Sequence, residues 1–445
     1  MSKKLFMVSL GCPKNLVDSE LMLASLSSRG YEICRQAEDA SLIVVNTCGF
    51  IQSAVEEAID EILSLGRLKD DKPDLRLVVT GCLVQRYGER LRVELPEVDL
   101  FLGTDNFLDI AVRLSTLDNK SQPENFELST PTFLMDSTCR RRISTPDHRA
   151  YLKISEGCSN RCSYCLIPQL RGPLRSRTVN DLIIEAQRLE AAGVKELTLI
   201  GQDVTAYGLD FGPQGHKLPD LLARLLTETD IPWLRMLYLY PNRIDIPLLK
   251  LMADNHRLLP YFDIPMQHAS NKILHLMRRP YQQSGLVSLV DQIRAIMPES
   301  AIRTTLIVGF PGEKETDIVE LEEFIARMKF NHVGVFCYSN EEGCGAESLP
   351  DHCDEEQKEC RRRRIMALQK EISAQSNRGM IGKIEKVLVE GLSRETDLLL
   401  EGRSRFQAPE IDGCVYINSG TCNKGDMVNL KITDAHPYDL IGEIV

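Results

Sequence analysis

"GCSNRCSYC", residues 157–165, holds three cysteines in nine residues, spaced C-x3-C-x2-C. A structural zinc site built on cysteines closes with a fourth Cys or His. None follows within the next forty residues, and the nearest candidates, His148 and Cys139, lie upstream. Thiolates also hold iron–sulfur clusters, and a four-iron cluster with three cysteine ligands keeps one iron open. An open iron suits a cofactor that must be bound and reduced.

The surroundings of the segment set its place in a fold. AYLKIS (150–155) just before it is a strand candidate, and five more follow: ELTLIG (196–201), WLRMLYLY (233–240), PYFDIPM (260–266), AIRTTLIVG (301–309) and HVGVFCY (332–338). Helical stretches such as TVNDLIIEAQRLEAAG (178–193) and KETDIVELEEFIARMK (314–329) lie between them. Six such units over residues 138–376 predict a partial (β/α) barrel, whose sites lie at the carboxyl ends of the strands. Cys158, Cys162 and Cys165 then stand at the barrel mouth. Tyr164 has two readings of equal weight, a face against a cofactor ring and plain packing. Gln202 and Asp203, at the end of the second strand, are candidate cofactor or substrate contacts. His268 reads first as a hydrogen-bonded wall residue and second as a substrate or SAM contact. The arginine run 361–364, within a charged helical stretch at 354–377, reads first as a solvated face and second as a phosphate contact.

Residues 3–119 carry a second α/β pattern. KLFMVSL (4–10), SLIVVNT (41–47) and LRLVVTG (75–81) are strand candidates, separated by helical NLVDSELMLASLSS (15–28) and IQSAVEEAIDEILSLG (51–66). This order predicts an N-terminal parallel α/β domain. Cys12, Cys48 and Cys82 each follow one of these strands. In a parallel sheet those ends share one edge, so three thiols far apart in sequence converge. Gly11, Gly49 and Gly81 beside them allow close backbone approach. Residues 119–137, polar with two prolines, read as a linker. Residues 377–445 change to short apolar runs broken by Gly, Asp and Asn, the pattern of a small β-barrel.

Fourteen cysteines are many for a chain in which the short apolar start, ending in Gly-Cys-Pro, reads as a buried strand rather than a signal peptide. No apolar run is long enough for a membrane span, and the expected compartment is the cytoplasm. Cytosolic thiols stay reduced, so metal ligation or catalysis is the first reading of the cysteines. The net charge is −11, and residues 1–119, 120–376 and 377–445 carry −6, −2 and −3. With no basic region, a nucleic-acid partner is disfavoured and a basic protein partner favoured.

C-x3-C-x-(aromatic)-C after the first strand of a barrel resembles the radical S-adenosylmethionine (SAM) superfamily. IRTTLIVGFPGE (302–313) resembles that superfamily's later SAM-contacting strand and glycine turn, which marks Gly309 and Gly312 as SAM contacts; GFPGEKET (309–316) is not a phosphate loop, because no Gly-Lys-Ser/Thr closes it. The three-region order, with three N-terminal cysteines and a terminal barrel of TRAM type, is similar to the methylthiotransferase family. GCPKNLVDSE (11–20), NTCGFI (46–51) and GRSRFQAPEIDG (402–413) resemble the branch that modifies a small-subunit ribosomal protein, although Gln407 stands where that branch is expected to carry an acidic residue.

The resemblance implies two [4Fe-4S] clusters. Cys158, Cys162 and Cys165 would hold the radical-generating cluster that chelates SAM, and Cys12, Cys48 and Cys82 an auxiliary cluster that handles sulfur. It further implies an electron donor and, as substrate, the β-carbon of an aspartate in small-subunit protein number twelve. It singles out no catalytic acid or base. Two other readings stand beside this one: the same chemistry on a modified adenosine in tRNA, and a non-catalytic zinc-holding, RNA-associated module.

Overall fold

A computed structural model of the chain describes residues 3–117 and 126–445. The first unit is one all-parallel sheet of β1 (Lys3–Ser9), β2 (Tyr31–Ile33), β3 (Leu42–Thr47), β4 (Arg76–Gly81), β5 (Leu100–Leu102) and β6 (Phe126–Glu127), in the order β2-β1-β3-β4-β5-β6. Strand β3 is buried along its whole length, as a near-continuous apolar run covered on both faces should be. The three strands that precede the cysteines are thus adjacent in space. Strands β2, β5 and β6 are two or three residues long, too short to produce a readable period. Strand β6 lies within the stretch read as a linker; residues 118–125 of that stretch, and with them the expected boundary at 119, are outside the described residues.

The central unit opens with β7 (Arg149–Lys153). A two-stranded hairpin, β8 (Ser155–Glu156) against β9 (Arg175–Ser176), then brackets the cysteine segment. Strands β10 (Glu196–Ile200), β11 (Trp233–Met236), β12 (Tyr261–Asp263), β13 (Ala301–Val308) and β14 (His332–Cys337) follow, with helices between them. Two parallel three-stranded sheets, β7-β10-β11 and β12-β13-β14, join where Leu234 bridges Leu258. The strands therefore run in sequence order around a partial barrel. Leu152, Leu199, Phe262 and Leu306 belong to its core.

The last unit is a closed barrel of β15 (Ile384–Leu392), β16 (Leu400–Ser404), β17 (Val415–Ser419), β18 (Met427–Ala435) and β19 (Leu440–Ile444), in the order β15-β16-β17-β19-β18, with β18 pairing back to β15. Alternate residues such as Val387 and Val389, Val415 and Ile417, and Leu430 and Ile432 fill it. It packs under the amino ends of the central strands. Glu196, the first residue of β10, is fully buried and pairs with Arg235 at 2.6 Å and with Arg403 of the barrel at 2.6 Å. Tyr261 donates its hydroxyl to Asp412 at 2.6 Å. The N-terminal unit lies over the other end of the central strands. Among the described residues no helix is long and apolar enough to cross a membrane.

Candidate functional site

Cys12, Cys48 and Cys82 come together as the strand order predicts. Cys48 and Cys82 directly follow β3 and β4, and Cys12 follows β1 at the start of the helix Pro13–Ser27. The organiser is Asn15, 1% exposed. Its amide donates to Leu10 O at 3.1 Å and Thr47 O at 2.9 Å, clamping the turns that carry Cys12 and Cys48. Thr47 in turn donates to Thr80 O at 2.6 Å, which ties in the strand before Cys82. Gly11 has φ +90°, and a methyl group there would sit 2.8 Å from Cys48 Cβ, so the two turns touch with no room for a side chain. Burial first, then the neighbouring Cys82 and Cys12, push the Cys48 thiol up to about 12.

The second set is built by the hairpin and the segment it brackets. Gly157, with φ +71°, would carry a methyl group 2.2 Å from Pro173 O, and the Cys158 amide donates to Gly172 O at 3.0 Å. Ser163, between the second and third cysteines, is anchored twice to the opposite wall: its amide donates to Met277 O at 3.1 Å and its hydroxyl to Leu276 O at 2.7 Å. Burial, then Cys162 and Cys158, push the Cys165 thiol up to about 12. Asp203 is 3% exposed and accepts from Asn160 at 2.8 Å and from Arg243, which itself donates to Asn160 at 3.0 Å. Asp203 therefore fixes the loop between Cys158 and Cys162. A cavity of about 220 Å³ opens here, lined by Cys158, Asn160, Asp203 and Arg243 among others. Gln202 beside it is half-buried.

The remaining candidates stand at the same mouth. Gly309–Gly312 follow β13, with the Gly309 amide donating to Glu313 at 2.8 Å. Phe310 of this turn belongs to the apolar cluster against which Tyr164 packs, and Arg279 lies 5.8 Å from the Tyr164 ring centre. His268 is fully buried, accepting from the Ser270 amide at 2.9 Å with Glu313 3.2 Å from its Nε2, which is the wall role read for it. The arginine run is engaged with carboxylates: Arg362 and Arg363 with Glu359 and Arg364 with Glu315 and Glu322, while Arg361 reaches inward to buried Glu313.

The two sets are tied together across the domain boundary by buried charged groups. Arg171, in the helix just after Cys165, is 3% exposed. Its Nε donates to Cys82 Sγ at 3.4 Å, its Nη1 to Asp18 at 2.6 Å, and its Nη2 to Asn15. Lys153 Nζ donates to Asp18 at 2.5 Å and to Glu156 at 2.8 Å. Two cations and two carboxylates thus form one buried, neutral group joining the sets. Burial would raise the Glu156 carboxyl, but Lys153 and then Arg171 outweigh it and hold it low. Asn15, Arg171, Lys153 and Arg279 escaped the sequence reading. The only available signal was adjacency: Asn15 three residues after Cys12, Arg171 six after Cys165.

The donors fit iron–sulfur clusters. Each set offers three thiols on neighbouring turns or within one short segment, thiolates are the ligands that such clusters take, and three donors leave one iron open.

Comparison with known proteins agrees. Residues 152–325 match the radical SAM superfamily, residues 4–103 the uncharacterized protein family UPF0004, and residues 381–445 the TRAM domain. Among solved structures, the radical S-adenosylmethionine methyltransferase TsrM from Kitasatospora setae, with cobalamin and a [4Fe-4S] cluster bound, superposes with a TM-score of 0.56 at 15% identity, over 76% of this chain and 75% of that one. The cobalamin-dependent radical enzyme OxsB gives 0.52 at 12% identity, over 84% and 56%. At such identities the likeness is one of fold. Fold and superfamily match together define a radical SAM protein with an N-terminal α/β unit and a C-terminal TRAM barrel. In sequence, the chain is 51% identical to the ribosomal protein uS12 methylthiotransferase RimO of Desulfotalea psychrophila over 99% of both chains. It is 48% identical to that of Pelobacter propionicus, over 99% and 98%, and 46% identical to that of Geobacter sulfurreducens, over 100% and 99%. The chain belongs to the ribosomal protein uS12 methylthiotransferase family.

Proposed function

We propose that this chain transfers a methylthio group to the β-carbon of an aspartate in ribosomal protein uS12. In this reading Cys158, Cys162 and Cys165 hold one [4Fe-4S] cluster and Cys12, Cys48 and Cys82 hold another. SAM binds at the barrel mouth near Tyr164, Gln202, Asp203, Gly309 and Gly312. When bound, these groups supply the one-electron chemistry, the sulfur and the methyl group that substitution at an unactivated C–H bond requires and that side chains lack.

The observation that carries this reading is the meeting of two three-thiol sets through Arg171, in a chain about half identical to uS12 methylthiotransferases over its full length. The protein's own part is positional. Asn15 holds two cysteine turns in register, and the Asp203–Asn160–Arg243 group holds the loop of the other set. The Asp18–Lys153–Glu156–Arg171 group ties the helix of the first set to the segment of the second. The N-terminal unit over the mouth keeps water from a reactive centre. An overall charge of −11 attracts a basic ribosomal protein and repels a polyphosphate backbone, which disfavours the tRNA reading. The donor of electrons is a separate redox partner.

Intact-mass comparison of uS12 and nucleoside analysis of tRNA, from cells with and without this protein, tests the reading. A methylthio mass lost from uS12 is expected. Its loss from tRNA with uS12 unchanged would overturn it.

A further inference from the structure

Lys14, two residues after Cys12, is a buried cation without a carboxylate partner. It is 5% exposed. Its Nζ lies 3.5 Å from the ring centre of Tyr238, and among the described residues no carboxylate comes within 4.0 Å of it. Asp263, a carboxylate near enough to act on it through space, is otherwise engaged: it accepts from Arg303 at 3.2 Å and from the Tyr238 amide at 2.9 Å. The cations nearby are matched, since Lys153 and Arg171 share Asp18 and Glu156. The partners of Lys14 are the Tyr238 ring and hydroxyl and, further off, Cys12 and Asp263; a buried ammonium without a paired carboxylate favours an incoming anion.

The surroundings hold Lys14 at the mouth. Tyr238 follows β11 with φ 62°, a conformation unfavourable for a residue with a side chain. Its carbonyl accepts from the Val204 amide at 3.0 Å, and its amide donates to Asp263. Cys12 and Tyr238, both of which act on the ammonium, are only half-buried, so a group arriving beside Cys12 comes close to Lys14.

Resting on the functional reading above, we infer that Lys14 is the residue that binds the carboxylate of the target aspartate. It steers the aspartate, with its β-carbon one bond from that carboxylate, toward the Cys12 side of the site. The other candidate for the missing negative charge is the thiolate set itself, and the two differ in outcome. A substrate-binding lysine discriminates aspartate from its neutral isostere asparagine; a lysine that only balances thiolates does not.

The test uses reconstituted holoenzyme and purified uS12 carrying either Asp or Asn at the target position. Wild type should bind the Asp form roughly ten- to a hundredfold more tightly, the range of a buried charged hydrogen bond. Lys14→Met should bring that ratio close to one, with iron content unchanged, and Lys14→Arg should restore part of it. Discrimination retained in Lys14→Met, or absent in the wild type, would overturn the inference. Wild-type enzyme that neither binds nor modifies either form would strike down the functional reading itself, and the inference with it.

Discussion

Arg171 Nε donates a hydrogen bond to Cys82 Sγ at 3.4 Å, so the helix that follows one cysteine set reaches a thiol of the other. The same guanidinium pairs with Asp18 and is 3% exposed. Arg171→Met leaves Lys153 alone against two buried carboxylates. The expected cost is about 3–5 kcal/mol, as for other broken buried pairs, read by denaturant unfolding of the apoprotein under anaerobic conditions. Arg171→Lys keeps the charge but loses the fork and should cost less.

The proposal of two four-iron clusters predicts about eight iron atoms per chain after anaerobic reconstitution. Replacing Cys158, Cys162 and Cys165 together by alanine should leave about four and abolish SAM cleavage. If that triple variant still cleaves SAM, the radical cluster lies elsewhere.

Cys344 packs beside Cys82, Leu166 and Leu170, all buried, although its position matches no ligand of the family. Cys344→Ala should retain full iron content and lose only about 1–2 kcal/mol of packing. A halved iron content would make it a ligand.

Gly11→Ala puts a methyl group 2.8 Å from Cys48 Cβ on a backbone at φ +90°. Conformational strain of about 1–3 kcal/mol falls on the turn that sets the Cys12–Cys48 separation. Iron analysis and electron paramagnetic resonance should register loss at the N-terminal set and an intact central one.

Acid should loosen the C-terminal barrel. Burial would raise the Glu196 carboxyl, but Arg403 and Arg235 outweigh it and hold it at about 2, below its ordinary 4.5. A lowered acid contributes stability that is fully present above the ordinary value and lost as pH falls toward the folded one. The loss should therefore run from about pH 4.5 down to about 2 and amount to about 3 kcal/mol at most. Unfolding midpoints across that window should fall more steeply for wild type than for Glu196→Gln, which starts lower and no longer titrates.

How far the chain could be read as a string depends on the range of each interaction. Strands β7 and β10–β14 and all five strands of the last barrel coincide with apolar runs, because local alternation and turn residues encode them. The convergence of Cys12, Cys48 and Cys82 was legible because equivalent ends of adjacent parallel strands must share an edge. Strands β2, β5 and β6 were not, since two or three residues carry no period and owe their form to the sheet they join. Nor could any local pattern reveal that Asn15 clamps two turns, that Arg171 crosses to Cys82, or that Asp203 fixes the Cys158–Cys162 loop. Apart from the Asn15–Leu10 bond, five residues apart, those roles rest on partners 32 to 89 residues away. Sequence order determined the three units and the six cysteines. Tertiary packing decided that the helix after one thiol set reaches the other, because only burial against a second domain gives Arg171 its partners and leaves Lys14 in want of one.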